Sequence, residues 1–103
     1  MANNITRPFV EKQLENLNRL TGMPLQPYLH TEEEGILPGN GNYHLDCAYG
    51  GYAFVRMTLQ PGGTGTEQVG NMGYVSLKVV SNYIRMFSEG YRAAKEAVQR
   101  VNS

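Results

Sequence analysis

The sequence is poor in the features that most often announce a function. It holds a single cysteine, Cys47, and no tryptophan, and nine Lys and Arg balance nine Asp and Glu over 103 residues. One cysteine excludes an internal disulfide, and a chain of this length buries a core without one, so a reducing, cytoplasmic setting is expected. Zero net charge excludes a histone-like coat protein, whose affinity would come from many neutralised phosphates. No apolar run is long enough for a signal peptide or a membrane span; Arg7, Glu11, Lys12 and Glu15 interrupt the first twenty residues. Two histidines and one cysteine are too few for a tetrahedral metal site without distant carboxylates. Neither a metal nor a cofactor is therefore expected. No internal repeat and no linker divide the chain, so residues 1–103 are read as one α+β domain.

What is present begins with a helix. Thr6 can cap it, Pro8 suits its first turn, and Val10, Leu14, Leu17 and Thr21 recur on one face. Gly22 follows where a left-handed cap ends helices. Pro24 and Pro27 make Met23 to Tyr28 an extended crossing or edge strand, and Glu32-Glu33-Glu34 reads as a solvated turn. After the Gly39-Asn40-Gly41-Asn42 turn, Tyr43, Leu45, Cys47 and Tyr49 alternate with His44, Asp46 and Ala48, which predicts a strand. Gly50-Gly51 predicts a turn or a bulge. In the next strand, Tyr52 to Leu59, one face carries Ala53, Val55, Met57 and Leu59, and the other Tyr52, Phe54, Arg56 and Thr58. Pro61 to Gly73 lacks apolar periodicity and reads as a long loop, in which Glu67 to Val69 is the stretch with strand character.

The strongest pattern closes the chain. Behind a Ser76 cap, Leu77, Val80, Ile84, Phe87, Tyr91, Ala94, Val98 and Val101 recur at alternating three and four residues. Val79, Met86 and Ala93 widen this stripe and predict that the first half is well buried. Such a helix is roughly 38 Å long, at ~1.5 Å per residue, against a radius of gyration of ~13 Å for a compact chain. The part beyond Gly90 is expected to overhang. The expected architecture is an N-terminal helix, an antiparallel sheet of about three strands, and a long C-terminal helix on one sheet face. Its core is expected to join Ala53, Val55 and Met57 to Leu77, Val80, Ile84 and Phe87.

Three sets of residues are candidates for function. Tyr91, Ala94, Val98 and Val101 continue the stripe past the region a small domain covers, which points to pairing with a second copy or another protein. Gly51-Tyr52-Ala53-Phe54-Val55-Arg56-Met57 is similar to the strand signature of RNA-recognition motifs; there Tyr52 and Phe54 would stack on bases and Arg56 would meet phosphate. Gly50 stands where that signature opens with a basic residue, and a helix stands where that fold starts with a strand. His44 and Asp46 share a strand face, as a general base and its orienting carboxylate would, while Cys47 points to the opposite face. Gly63-Thr64-Gly65 starts like a dinucleotide-binding turn, but Gln68 replaces its last glycine and no helix follows. Lys78, Arg85 and Arg92 recur every seven residues beside Glu89 and Glu96, the pattern of a solvated, salt-bridged face. The helix–strand–strand–helix order loosely resembles a double-stranded-RNA-binding domain, without the Lys-rich start of that fold's second helix.

Ala48-Tyr49-Gly50-Gly51-Tyr52, with Tyr43-His44-Leu45, Val55-Arg56, Gly62-Gly63 and Asn82-Tyr83-Ile84-Arg85, resembles a group of small uncharacterised phage and prophage proteins. In these a Tyr-Gly-Gly turn precedes a Gly-Gly loop and a C-terminal helix. The resemblance implies a mobile-element origin and carries no activity or site residues with it. The expected function is that of a small, non-enzymatic accessory protein that binds a partner or itself, with a homodimer foremost. Single-stranded nucleic-acid binding through Tyr52, Phe54 and Arg56 is the alternative, and an enzyme using His44 and Asp46 the third reading.

Overall fold

Helix α1 (Arg7–Thr21) begins and ends where its local chemistry dictates. The Thr6 hydroxyl accepts from the Phe9 N–H at 3.3 Å, and Gly22 closes the helix with φ +73°. The computed structural model describes residues 4–61 and 63–102, so Gly62 of the Gly62-Gly63 pair lies outside the described residues. After α1 come β1 (Tyr28–Thr31), β2 (Gly35–Pro38), β3 (Tyr43–Ala48), β4 (Gly51–Gln60), β5 (Gly63–Gln68) and α2 (Leu77–Asn102). β1 and β2 form a separate antiparallel hairpin, and β3-β4-β5 form a three-stranded antiparallel sheet. The fold is α+β, with both helices on one face of the larger sheet.

Strand pairing reaches further than the spacing predicts, which marks Met23 to Tyr28 as an extended crossing or edge strand and only Glu67 to Val69 of the long loop as strand-like. The hairpin β1–β2 pairs Leu29 with Leu37 and His30 with Ile36 around the three glutamates. Thr31 secures that turn, since its Oγ1 accepts from Glu34 N and donates to the Gly35 carbonyl, each at 3.0 Å. Strand β5 occupies the first half of the expected loop. It carries no apolar alternation; its backbone pairs with β4 from Val55↔Gln68 to Gln60↔Gly63. Backbone pairing is indifferent to side chains, so hydrophobic periodicity could not reveal it. The β3–β4 turn is Tyr49-Gly50, both at positive φ, with Gly51 already in β4. That is the two-residue geometry matched to strand twist. Gly39 packs so closely on the Gln26 carbonyl that any Cβ there would overlap it.

The core differs from the expected one in its choice of sheet face. Val10, Leu14 and Leu17 of α1, Val80 and Ile84 of α2, and Tyr43 and Phe54 of the sheet form one buried cluster. Phe54 and Tyr43 lie on the face opposite Ala53, Val55 and Met57. Those three are buried too, but outside this cluster. Phe54 meets the rings of Tyr43, Tyr83 and Phe87 at centroid distances of 5.7, 5.9 and 5.6 Å. On the far face Tyr74 donates to Asp46, the cross-strand partner of Ala53. The expected wide apolar stripe on α2 is also corrected, because Val79, Met86 and Ala93 are exposed. α1 and the sheet approach α2 from one side and cover the face of Leu77, Val80, Ser81, Tyr83, Ile84 and Phe87.

Buried amides join the layers. Asn18 of α1, 1% exposed, donates to the Tyr43 carbonyl at 3.0 Å and accepts from the Tyr43 N–H at 2.8 Å. It thus satisfies the outer edge of β3 as a neighbouring strand would. Gln13 and Ser81 clamp the two helices: Ser81 Oγ donates to Gln13 Oε1 at 2.8 Å, and Gln13 Nε2 donates to the Ser81 carbonyl at 3.4 Å.

Candidate functional site

The far half of α2 is where this fold leaves apolar surface uncovered. Helix α1 seats Val10, Leu14 and Leu17 against the Val80 and Ile84 half. It therefore does not reach the second half, in which every described side chain from Glu89 to Val101 is exposed. Tyr91 is 37%, Val98 58% and Val101 84% exposed. Tyr91, Ala94 and Val98, with Lys95 and Gln99, line a shallow groove of about 410 Å³. The Cα radius of gyration, 15.3 Å, exceeds the ~13 Å of a compact chain of this length, as an overhanging helix requires. Tyr91, Ala94, Val98 and Val101 thus share one projecting face that is uncovered among the described residues.

The strand proposed to stack on bases is placed differently. Phe54 is 2% exposed beneath α2, and Tyr52 packs partly against the same cluster. Arg56 lies half-buried with its guanidinium 5.9 Å from the Tyr43 ring centroid. Its Nε is buried without a hydrogen-bond partner among the described residues. The aromatic face of β4 is the helix-bearing face, so Phe54 cannot meet a base while the fold is intact. The first turn of α2 carries Lys78 as its cation.

His44 and Asp46 do not form a dyad. Asn42 donates from Nδ2 to the Pro24 carbonyl at 2.7 Å, which turns its Oδ1 toward His44 Nδ1 at 3.1 Å. That oxygen only accepts, so His44 holds its proton on Nδ1 and leaves Nε2 unprotonated. The Asp46 carboxylate is engaged by Tyr74, and its acceptance of that hydrogen bond raises the Tyr74 phenol above its ordinary pKa. Cys47 is exposed, and His30 lies in the exposed hairpin. A cleft of about 400 Å³ opens between α1, residues 25–27 and the β3 edge, with Glu11, Leu14, Asn18, Leu25, His44 and Leu45 among its lining. Among the described residues no cluster of His, Cys, Asp and Glu could hold a metal, and no helix is long and apolar enough to cross a membrane.

No family model, curated protein or solved structure matches this chain. The geometry of the surface alone therefore carries the functional reading.

Burial pushes the His44 imidazole below its ordinary pKa of about 6.5, against the opposing pull of its Asn42 hydrogen bond and the Asp46 charge. A depressed base binds fewer protons folded than unfolded, so stability rises with pH through that window. Stability should thus be complete above about pH 6.5 and fall as pH drops toward the lowered value. Thermal unfolding between neutral and mildly acid pH checks this. His44→Gln should remove part of the acid loss, and an unchanged pH profile in that variant would assign the loss to other groups.

Proposed function

We infer that the protein is a non-enzymatic interaction module that self-associates through the projecting half of α2. The observation that carries this reading is the exposed Tyr91, Ala94, Val98, Val101 stripe, which continues the buried seam of the same helix but has no cover among the described residues. A helix whose apolar periodicity outlasts its own domain is stabilised by a second apolar surface, and two-fold pairing is the commonest solution. Burial of Phe54 weighs against the nucleic-acid reading, and the separate engagement of His44 and Asp46 weighs against a hydrolytic dyad.

Mass in solution tests the reading. Light scattering or sedimentation at tens of micromolar should report a dimer, and Val98→Glu should return it to monomer. Val98 is exposed, so the substitution burdens only an assembled state. A wild-type chain that stays monomeric at that concentration overturns the reading.

A further inference from the structure

Strand β3 is an outer strand of the larger sheet, and its free edge is closed at one end only. Antiparallel strands turn the N–H and carbonyl of alternate residues toward opposite neighbours. The Asn42 carbonyl accepts from the Met57 N–H at 2.9 Å, so Asn42 faces β4. Tyr43 therefore faces away from β4, which is why Asn18 can meet both of its backbone groups. At the other end of the strand Tyr52, opposite Cys47, directs its N–H and carbonyl to Val75, each at 2.8 Å. Leu45 and Cys47 thus share the outward direction of Tyr43. Their N–H and carbonyl groups meet no partner among the described residues.

The cleft of about 400 Å³ between α1 and residues 25–27 opens on this edge, and Leu14, Leu25 and Leu45 give it an apolar lining beside the open Leu45 backbone. Two kinds of chemistry meet there. Outward N–H and carbonyl groups two residues apart, at ~6.6 Å, match the repeat of another strand, whereas a helix presents no free backbone groups along its side. Alternate side chains of an added strand fall on the face that Leu45 shares with Tyr43, where the leucines stand. Walls on both sides of the cleft suit a single extended chain rather than the rim of a folded sheet. Strand addition of this kind draws affinity from main-chain bonds and selectivity from pockets for alternate side chains.

We propose that the β3 edge at Leu45 and Cys47 binds an extended peptide segment of a partner protein, added to the sheet as a fourth strand with an aliphatic side chain among Leu14, Leu25 and Leu45. Asn18 sets one end of the site, because it already fills the strand position at Tyr43. The cleft shares no lining residue with the α2 groove, so the site stands whether or not the chain dimerises.

A phage-displayed library of random short peptides, selected on the immobilised full chain, supplies the probe. Selected peptides should carry aliphatic residues at alternate positions. Methylating their backbone nitrogens one at a time should weaken binding by about tenfold at every second position and little between, since only alternate N–H groups face β3. Cys47 is exposed and its N–H does not bond to β4, so Cys47→Pro removes one outward donor and keeps the ladder. This variant should fold by circular dichroism and bind the same peptides about tenfold more weakly, while Cys47→Ala binds them like the wild type. If Cys47→Pro fails to fold, the methylation pattern on the wild-type chain decides alone. Peptides whose affinity ignores alternate methylation overturn the proposal, as does a library that yields no binder. Loss of binding in Val98→Glu also overturns it, because that outcome places the peptides on α2.

Discussion

Phe54→Ala is expected to destabilise the protein by about 3–5 kcal/mol, and Ile84→Ala by about 2–5 kcal/mol. Phe54 is among the largest fully buried side chains, and Ile84 is 1% exposed. The Phe54 ring sits among three others, edge-on to Phe87 at an interplanar angle of 89°. Truncation removes the transfer energy of the ring and leaves a cavity bounded by Tyr43, Tyr83 and Phe87. These partners sit on β3 and α2, so the gap cannot close by a shift of one side chain. Denaturant unfolding with an unchanged slope measures the loss. A cost well below about 1 kcal/mol at both positions would mean that the helices do not seat on this sheet face.

Asn18→Leu is the second large effect. Leucine is close in size and a better helix former, so local propensity alone predicts a gain. The tertiary structure predicts a loss. Asn18 is the partner of both the N–H and the carbonyl of Tyr43, at 2.8 and 3.0 Å, in a position shut off from water. Its replacement strands two buried backbone groups, at about 1–3 kcal/mol for each. The net expectation is a destabilisation of about 2–4 kcal/mol, seen as a lower denaturant midpoint. Asn18→Asp should fall between the two, since it keeps the acceptor for the Tyr43 N–H and loses the donor to the carbonyl. A stabilised Asn18→Leu variant would show that the Tyr43 edge finds water instead.

Much of the scaffold was legible because its signals are local. Thr6, Pro8 and Gly22 act on the backbone groups beside them, and α1 starts and stops accordingly. The stripe from Leu77 to Val101 specifies a helix wherever it lies, and its overhang follows from helix length against domain size. The exposed candidate face of Tyr91, Ala94, Val98 and Val101 was legible for the same reason. The hairpin's apolar surface was not, because Pro24 and Pro27 mark extended chain without saying what pairs with it. Of β5 only the end near Glu67 was legible, because its Gly-Thr-Gly-Thr-Glu-Gln holds its place through backbone bonds to β4.

Sequence by itself determined which segments are helical, where one strand alternates, and that the apolar stripe of α2 runs on past Gly90. Tertiary structure alone decided which face of β4 meets the helices. Both faces carry apolar residues, so alternation ranks neither, and the outcome turned on contacts remote in sequence. Tyr43 lies on the Phe54 side of the sheet, Tyr83 and Phe87 arrive on α2, and Tyr74 engages Asp46 on the opposite side. The same remoteness hid Asn18, a polar residue at an ordinary helical position until Tyr43, 25 residues away, is brought against it. Periodicity is a property of one element, whereas burial is a property of two, and a strand with two apolar faces acquires its inside only when its neighbours arrive.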